Sequence, residues 1–188
     1  MQLNKQRIYK FAKGKNVLVL FVVTNSVYAI MLLHTIPRVM QFSNGMKLLD
    51  MMPSGYTPEY VSKLFATLGH EGRRLYLWNQ IPIDMVYPFL FGICYSLLLI
   101  YFFKKINRLN SKILYLGILP IIAGIADYTE NFGIITMLNT TPENIQTIAQ
   151  LTNVFTLIKS IASTIYFVIL LVTIIVLLAK KMKKRISK

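Results

Sequence analysis

Four apolar runs, each long enough to cross a bilayer as a helix, decide what this chain can fold into. They lie at roughly 16–36, 82–103, 113–138 and 152–179. A helix rising about 1.5 Å per residue needs about 20 residues to cross a hydrocarbon core of about 30 Å. Inside that core every backbone N–H and C=O must find a partner within its own segment, so such runs fold as helices. The expected fold is all-α: a polytopic four-helix transmembrane bundle read as a single domain, with a partly helical extracytoplasmic cap at 37–81. Composition agrees, because a chain that is 55% hydrophobic and only 15% charged is too apolar for a soluble domain of 188 residues.

The formal charge of +14 raises the question of nucleic acid. The basic residues, however, gather at the ends of the apolar runs and form no stripe on a polar domain. They therefore point to a lipid bilayer as partner and away from nucleic acid. Lys5, Arg7, Lys10, Lys13 and Lys15 precede the first run, Lys104, Lys105, Arg108 and Lys112 separate the second from the third, and Lys180, Lys181, Lys183, Lys184, Arg185 and Lys188 follow the fourth. The segment from Asn139 to Leu151 has only Glu143, and the cap mixes both signs. Basic flanks resist translocation, so both termini and the second connection are expected in the cytoplasm of a cell (inner) membrane protein. The N-terminus resembles a secretory signal, with small residues near Val27-Tyr28-Ala29, but its apolar run continues to Ile36 and reads as an uncleaved first helix.

The cap has local signatures of its own. Its first half, from Val39 to Met52, is apolar enough to lie on the membrane or pack over helix ends. Thr57-Pro58-Glu59 then reads as a helix start: a capping hydroxyl, a proline at the first helical position and an acid in the first turn. Val61, Leu64, Phe65 and Leu68 follow at helical spacing, and Gly69 is placed to end that helix. Tyr76 and Trp78 suit the headgroup level.

The chemistry lies in a polar layer. Counting helix rise from the cytoplasmic boundary puts His34, Asp84, Asp127, Glu130 and Lys159 at about 21–30 Å, all in the far third of the core. Asp127, Glu130 and Asn131 stand at i, i+3 and i+4 and share a helix face, which Gly124 continues. Thr152, Thr156, Lys159, Ser163 and Tyr166 form a stripe on the fourth helix. Asp84 and Tyr87 are neighbours on the second, where Pro88 cannot donate to the Asp84 carbonyl. Charge facing lipid is costly, so these stripes should face inward, with Lys159 pairing Asp127 or Glu130. Three carboxylates then meet one lysine. Either Arg73 or Arg74 folds in from the cap, or one carboxyl keeps its proton and offers a general acid or a proton-binding site. The ligand-binding candidates are thus Asp84, Tyr87, Asn131, Lys159, Arg73, Arg74 and His34, and the acid-base candidates are Asp127 and Glu130.

Other chemistries find little support. His34, His70 and the acids lack a recognisable metal-ligand spacing. Cys94 stands alone in an apolar run, so an intramolecular disulfide is impossible. No nucleotide-binding loop, serine elbow or other cofactor motif is present.

The order Glu71-Gly72-Arg73-Arg74, Tyr76, Asp84, Tyr87-Pro88, Asp127-Tyr128-Thr129-Glu130-Asn131, Phe155-Thr156 and Lys159 resembles a group of small four-span bacterial membrane proteins of uncharacterised activity. The resemblance covers about residues 57 to 179 and implies a fold but no reaction. More loosely, acids and aromatics around an intramembrane cavity are similar to the sterol-isomerase and sigma-2-receptor-like family. That similarity implies a sterol-like or other amphipathic ligand and, in some members, double-bond shifts using acidic residues. The motif does not align residue by residue, so it carries no functional position over.

Three functions fit these readings. The first is a cavity binding a small amphipathic or lipid-like molecule, with or without acid-base chemistry on it. The second is a partner or assembly protein in which the polar layer only holds helices together. The third is a proton- or ion-coupled transporter, weakened because the cytoplasmic half of every run is almost purely apolar. Oligomeric state is not legible in the sequence.

Overall fold

A computed structural model describes residues 11–107, 115–140 and 142–186. The described residues are helical with no strand, and the chain contains four helices long and apolar enough to cross a membrane. These are α1 (Gly14–Met40), α2 (Pro58–Lys105), α3 (Tyr115–Leu138) and α4 (Pro142–Ile186). α2 packs on α1, α3 on α2 and α4 on α3, whereas α1 and α4 do not pack against each other along their lengths. The circuit of helices is therefore open on one side.

Two helices are much longer than their apolar runs. α2 starts in the cap, where Thr57 accepts a hydrogen bond from the Tyr60 amide at 3.2 Å and Pro58 takes the first helical position. Val61, Leu64, Phe65 and Leu68 are buried along one face. Gly69, at φ 59° and ψ −164°, then breaks the helix, and only a glycine takes that backbone readily. α4 has 45 residues, or roughly 68 Å at the helical rise. The segment from Asn139 to Leu151, the connection between the third and fourth apolar runs, is therefore mostly helix. In the sequence, Thr141-Pro142-Glu143 repeats the pattern of Thr57-Pro58-Glu59.

Prolines shape the helices where they enter the cap. Pro37 and Pro82 each lack an N–H for the preceding turn, and each follows a five-residue π-turn, Met31–Thr35 in α1 and Tyr76–Gln80 in α2. Pro88 follows a break at Met85 and Val86. α2 and α3 approach backbone to backbone here: a Cβ on Gly124 would stand 2.8 Å from the Pro88 carbonyl oxygen.

The interior has two apolar cores. One, on the cap side, joins Val39, Leu48, Leu49, Val61, Leu64 and Tyr76 to Ile134, Met137, Ile145 and Ala149. The apolar half of the cap thus packs over the helix ends. The other unites Phe91, Tyr95, Leu99, Phe103, Tyr166 and Leu170 further along the bundle. On α2, α3 and α4 the buried polar residues Asp84, Asp127, Glu130, Asn131, Thr152 and Thr156 fall between these two cores.

Candidate functional site

The layer is assembled from three helices by the spacing of their polar residues. Asp127 and Glu130, one helical step apart on α3, both face Lys159 of α4. The Lys159 ammonium lies 3.1 Å from Asp127 Oδ1 and pairs also with Glu130 Oε2. Glu130 is wholly buried, and its other oxygen accepts a 2.7 Å hydrogen bond from the Thr156 hydroxyl, one turn before Lys159. Having given its proton to Glu130, Thr156 is an acceptor for the Tyr56 hydroxyl 3.3 Å away. Burial pushes Tyr56 above the ordinary phenol range, so it keeps the proton it donates. On α2, the Asp84 carbonyl that Pro88 leaves unpaired accepts from Asn131 Nδ2 at 3.4 Å.

A second string of polar groups enters from the cap. Asp50, in the short 3₁₀ turn Leu49–Met51, accepts from the Tyr76 hydroxyl at 2.9 Å and from Gln80 Nε2 at 3.0 Å. The Gln80 carbonyl oxygen in turn accepts from the Thr35 hydroxyl, which joins the two π-turns. Tyr76, Gln80 and Asp84 stand at i, i+4 and i+8, so this stripe was readable from helix spacing. Asp50 had no such signal, because the path of an irregular segment is not written in any period.

The layer borders a cavity of about 810 Å³. Its polar wall contains Asp50, Asp84, Asp127 and Lys159, and an aromatic wall is made by Tyr28, Tyr87, Phe91, Tyr95 and Phe167. Tyr28 and Tyr87 stack at 5.3 Å between ring centroids, and Phe91 and Tyr95 lie 4.7 Å apart. Leu32 on α1 and Val168 and Leu171 on α4 also line the cavity and are exposed. They stand on the two helices that do not pack together, so the cavity opens sideways between α1 and α4.

Three of the candidate residues lie elsewhere. His34 sits within the π-turn of α1 with its side chain exposed, and it does not line the cavity. Equal height along the helix did not mean an inward face. Neither arginine folds into the layer. Arg73 donates to the Leu138 carbonyl at the end of α3 and lies over the Phe65 ring. Free carbonyls at a helix C-terminus attract a cation, and that satisfies it outside the layer. Arg74 faces Glu71 at 3.8 Å. Both arginines line a separate cleft with His70, Leu77 and the exposed Trp78. Of the two acid-base candidates, only Asp127 reaches the cavity wall, Glu130 being held behind Lys159.

In charge, the wall is unbalanced. Asp50, Asp84 and Asp127 line it with one ammonium, Lys159, which Asp127 and Glu130 already engage. Asp84 is only 3% exposed, and among the described residues its Oδ2 has no hydrogen-bond partner. No three His, Cys, Asp or Glu side chains among the described residues come close enough to share a metal ion.

Compared with known proteins, the chain matches no protein-family model, no curated protein and no solved structure. Its function must be read from its own geometry.

Proposed function

We propose that this chain is an integral membrane protein that binds a small amphipathic, lipid-like molecule in the cavity between α1 and α4. The observation that carries this reading is the cavity's two-ended lining. Asp84, Asp127 and Lys159 form one region, Phe91, Phe167 and Leu171 another, and the mouth between the helices has apolar rims. A molecule with a polar head and an apolar body, entering from the bilayer, satisfies both. The volume of about 810 Å³ lies within the range of small-molecule sites.

In this reading Asp84 and Tyr87 form one wall, Asp127 and Lys159 face them, and Asn131 holds the α2 backbone that carries Asp84. Any acid-base chemistry falls to Asp127 and Asp84, the acids that line the cavity, while Glu130 positions Lys159. The basic flanks support an orientation with the cap outside and both termini in the cytoplasm of a cell membrane.

The reading of the layer as helix glue has one observation in its favour. Glu130, Thr156, Lys159 and Tyr56 tie α3, α4 and the cap together without reaching into the cavity through Glu130. The two readings separate under isosteric change. Asp84→Asn and Asp127→Asn keep shape and hydrogen-bonding groups, so a purely packing role predicts losses of at most about 1–2 kcal/mol and no change in bound lipid. Binding predicts that molecules extracted from the purified protein, identified by mass spectrometry, are lost in both variants while melting temperatures in detergent stay close to wild type. Unchanged retention in both variants would reject the binding site.

A further inference from the structure

Resting on that reading, the charge inside the cavity narrows the ligand's chemistry. A carboxylate in a low-dielectric interior needs a partner, and a bare one is among the costliest features a fold can keep. Asp127 and Glu130 have Lys159, and Asp50 has the Tyr76 and Gln80 donors. Asp84 lines the cavity with Oδ2 unpartnered, and among the described residues no cation besides Lys159 lines it, Arg73 and Arg74 being engaged elsewhere. Among the described residues no three acids, histidines or cysteines come close enough to share a metal ion. Tyr87, one turn from Asp84 on α2, lines the same cavity and stacks on Tyr28, and the face of a tyrosine ring favours an organic cation. The serine and threonine side chains of α4 along the opposite wall, Ser160, Ser163 and Thr164, offer further acceptors for N–H groups.

We infer that the cavity selects an amphiphile with an ammonium head, which donates to Asp84 while its chain leaves between α1 and α4. Such a ligand supplies the missing positive charge where the fold leaves it out. An anionic head would meet Asp50, Asp84 and Asp127 at once, with only an already paired lysine in return.

The test uses three probes with the same chain and different heads, namely hexadecylamine, hexadecanol and palmitate. They are added at neutral pH and matched mole fraction to the full-length protein in a non-ionic detergent. The readouts are melting temperature and the amount of probe that co-elutes with the protein. Hexadecylamine is expected to bind saturably and raise the melting temperature, and palmitate is expected to do neither. Asp84→Asn should weaken amine binding about tenfold or more, the size of one charge-assisted hydrogen bond, and leave hexadecanol unaffected. The wild-type comparison stands even if that variant folds poorly. Equal binding of amine and alcohol, or stronger binding of palmitate, would overturn the ammonium assignment and leave an amphiphile site intact. Binding of none of the three would overturn both. Competition by phosphatidylethanolamine, but not by phosphatidylglycerol, assigns the ammonium to a lipid headgroup. Absence of competition by either assigns it to a free amine.

Discussion

Lys159 is the residue on which the polar layer depends. Its ammonium compensates two carboxylates, so the three groups stand or fall together. Replacing it with methionine strands Asp127 and Glu130 in a dry interior, a change expected to cost a few kcal/mol. Glu130→Gln alone should cost no more than about 1–2 kcal/mol. In the double variant the two losses should not add, because one of the stranded acids is gone. Detergent melting curves of the wild type, both single variants and the double variant test this, and additive losses would mean the ion pair is not the coupling element. The pairing was legible because Asp127, Glu130 and Lys159 lie on regular helices, where spacing fixes direction. Height along a helix does not fix direction, and the π-turn that carries His34 leaves its side chain exposed. Asp50 was invisible for another reason: it reaches Gln80 and Tyr76 from a loop whose course only the folded cap defines.

The element that organises the site is the broken second helix. Each interruption follows from a residue that cannot continue a regular ladder: Gly69 by its backbone, Pro82 and Pro88 by the missing N–H. The turns loosened before Pro37 and Pro82 carry the buried Thr35 and Gln80 and bring them into contact. Below them, α2 and α3 close on each other at Gly124, where an added Cβ meets backbone 2.8 Å away, and at Gly92, where it would meet Ile121 Cα at 3.6 Å. Backbone cannot yield as a side chain does, so Gly124→Ala should destabilise the protein by about 1–3 kcal/mol. Gly92→Ala falls at ordinary contact distance and should stay near wild type. Thermal melting in detergent distinguishes the two, and an equal effect would contradict the packing described. The apolar runs located the helices well but not their ends, because hydropathy reports where lipid is tolerated and says nothing of where a helix stops. The early start of α4 shows this: the Thr-Pro-Glu start signal read before α2 recurs at Thr141-Pro142-Glu143, inside a stretch too polar to be counted as part of a span.

At the scale of the whole molecule, two apolar cores enclose a polar layer, and the cap that covers one end also delivers Asp50 to it. The number of helices long and apolar enough to cross a membrane, and the cap over one end, followed from hydropathy. The side opening did not, because which helices touch is decided by packing across the bundle and leaves no mark on any single segment. The basic flanks give an expectation for orientation that reporter fusions test: fusions after Lys15, between Lys104 and Lys112, and after Lys188 should read as cytoplasmic, and those near Gly55 and Glu143 as external. One inverted position would contradict the assignment. On the proposed function, the space between α1 and α4 is a binding site and no mere packing gap. Ser163 lines that space one turn beyond Lys159 and bears no part of the ion pair, so Ser163→Phe fills it while leaving the acids in place. The decisive measurement is the amount of amphipathic molecule extracted per protein, by quantitative mass spectrometry, from wild type and Ser163→Phe purified side by side from native membranes. A near-stoichiometric molecule in the wild type, lost from a Ser163→Phe protein that still folds, is the expected result; equal retention in both, or none in the wild type, would contradict it.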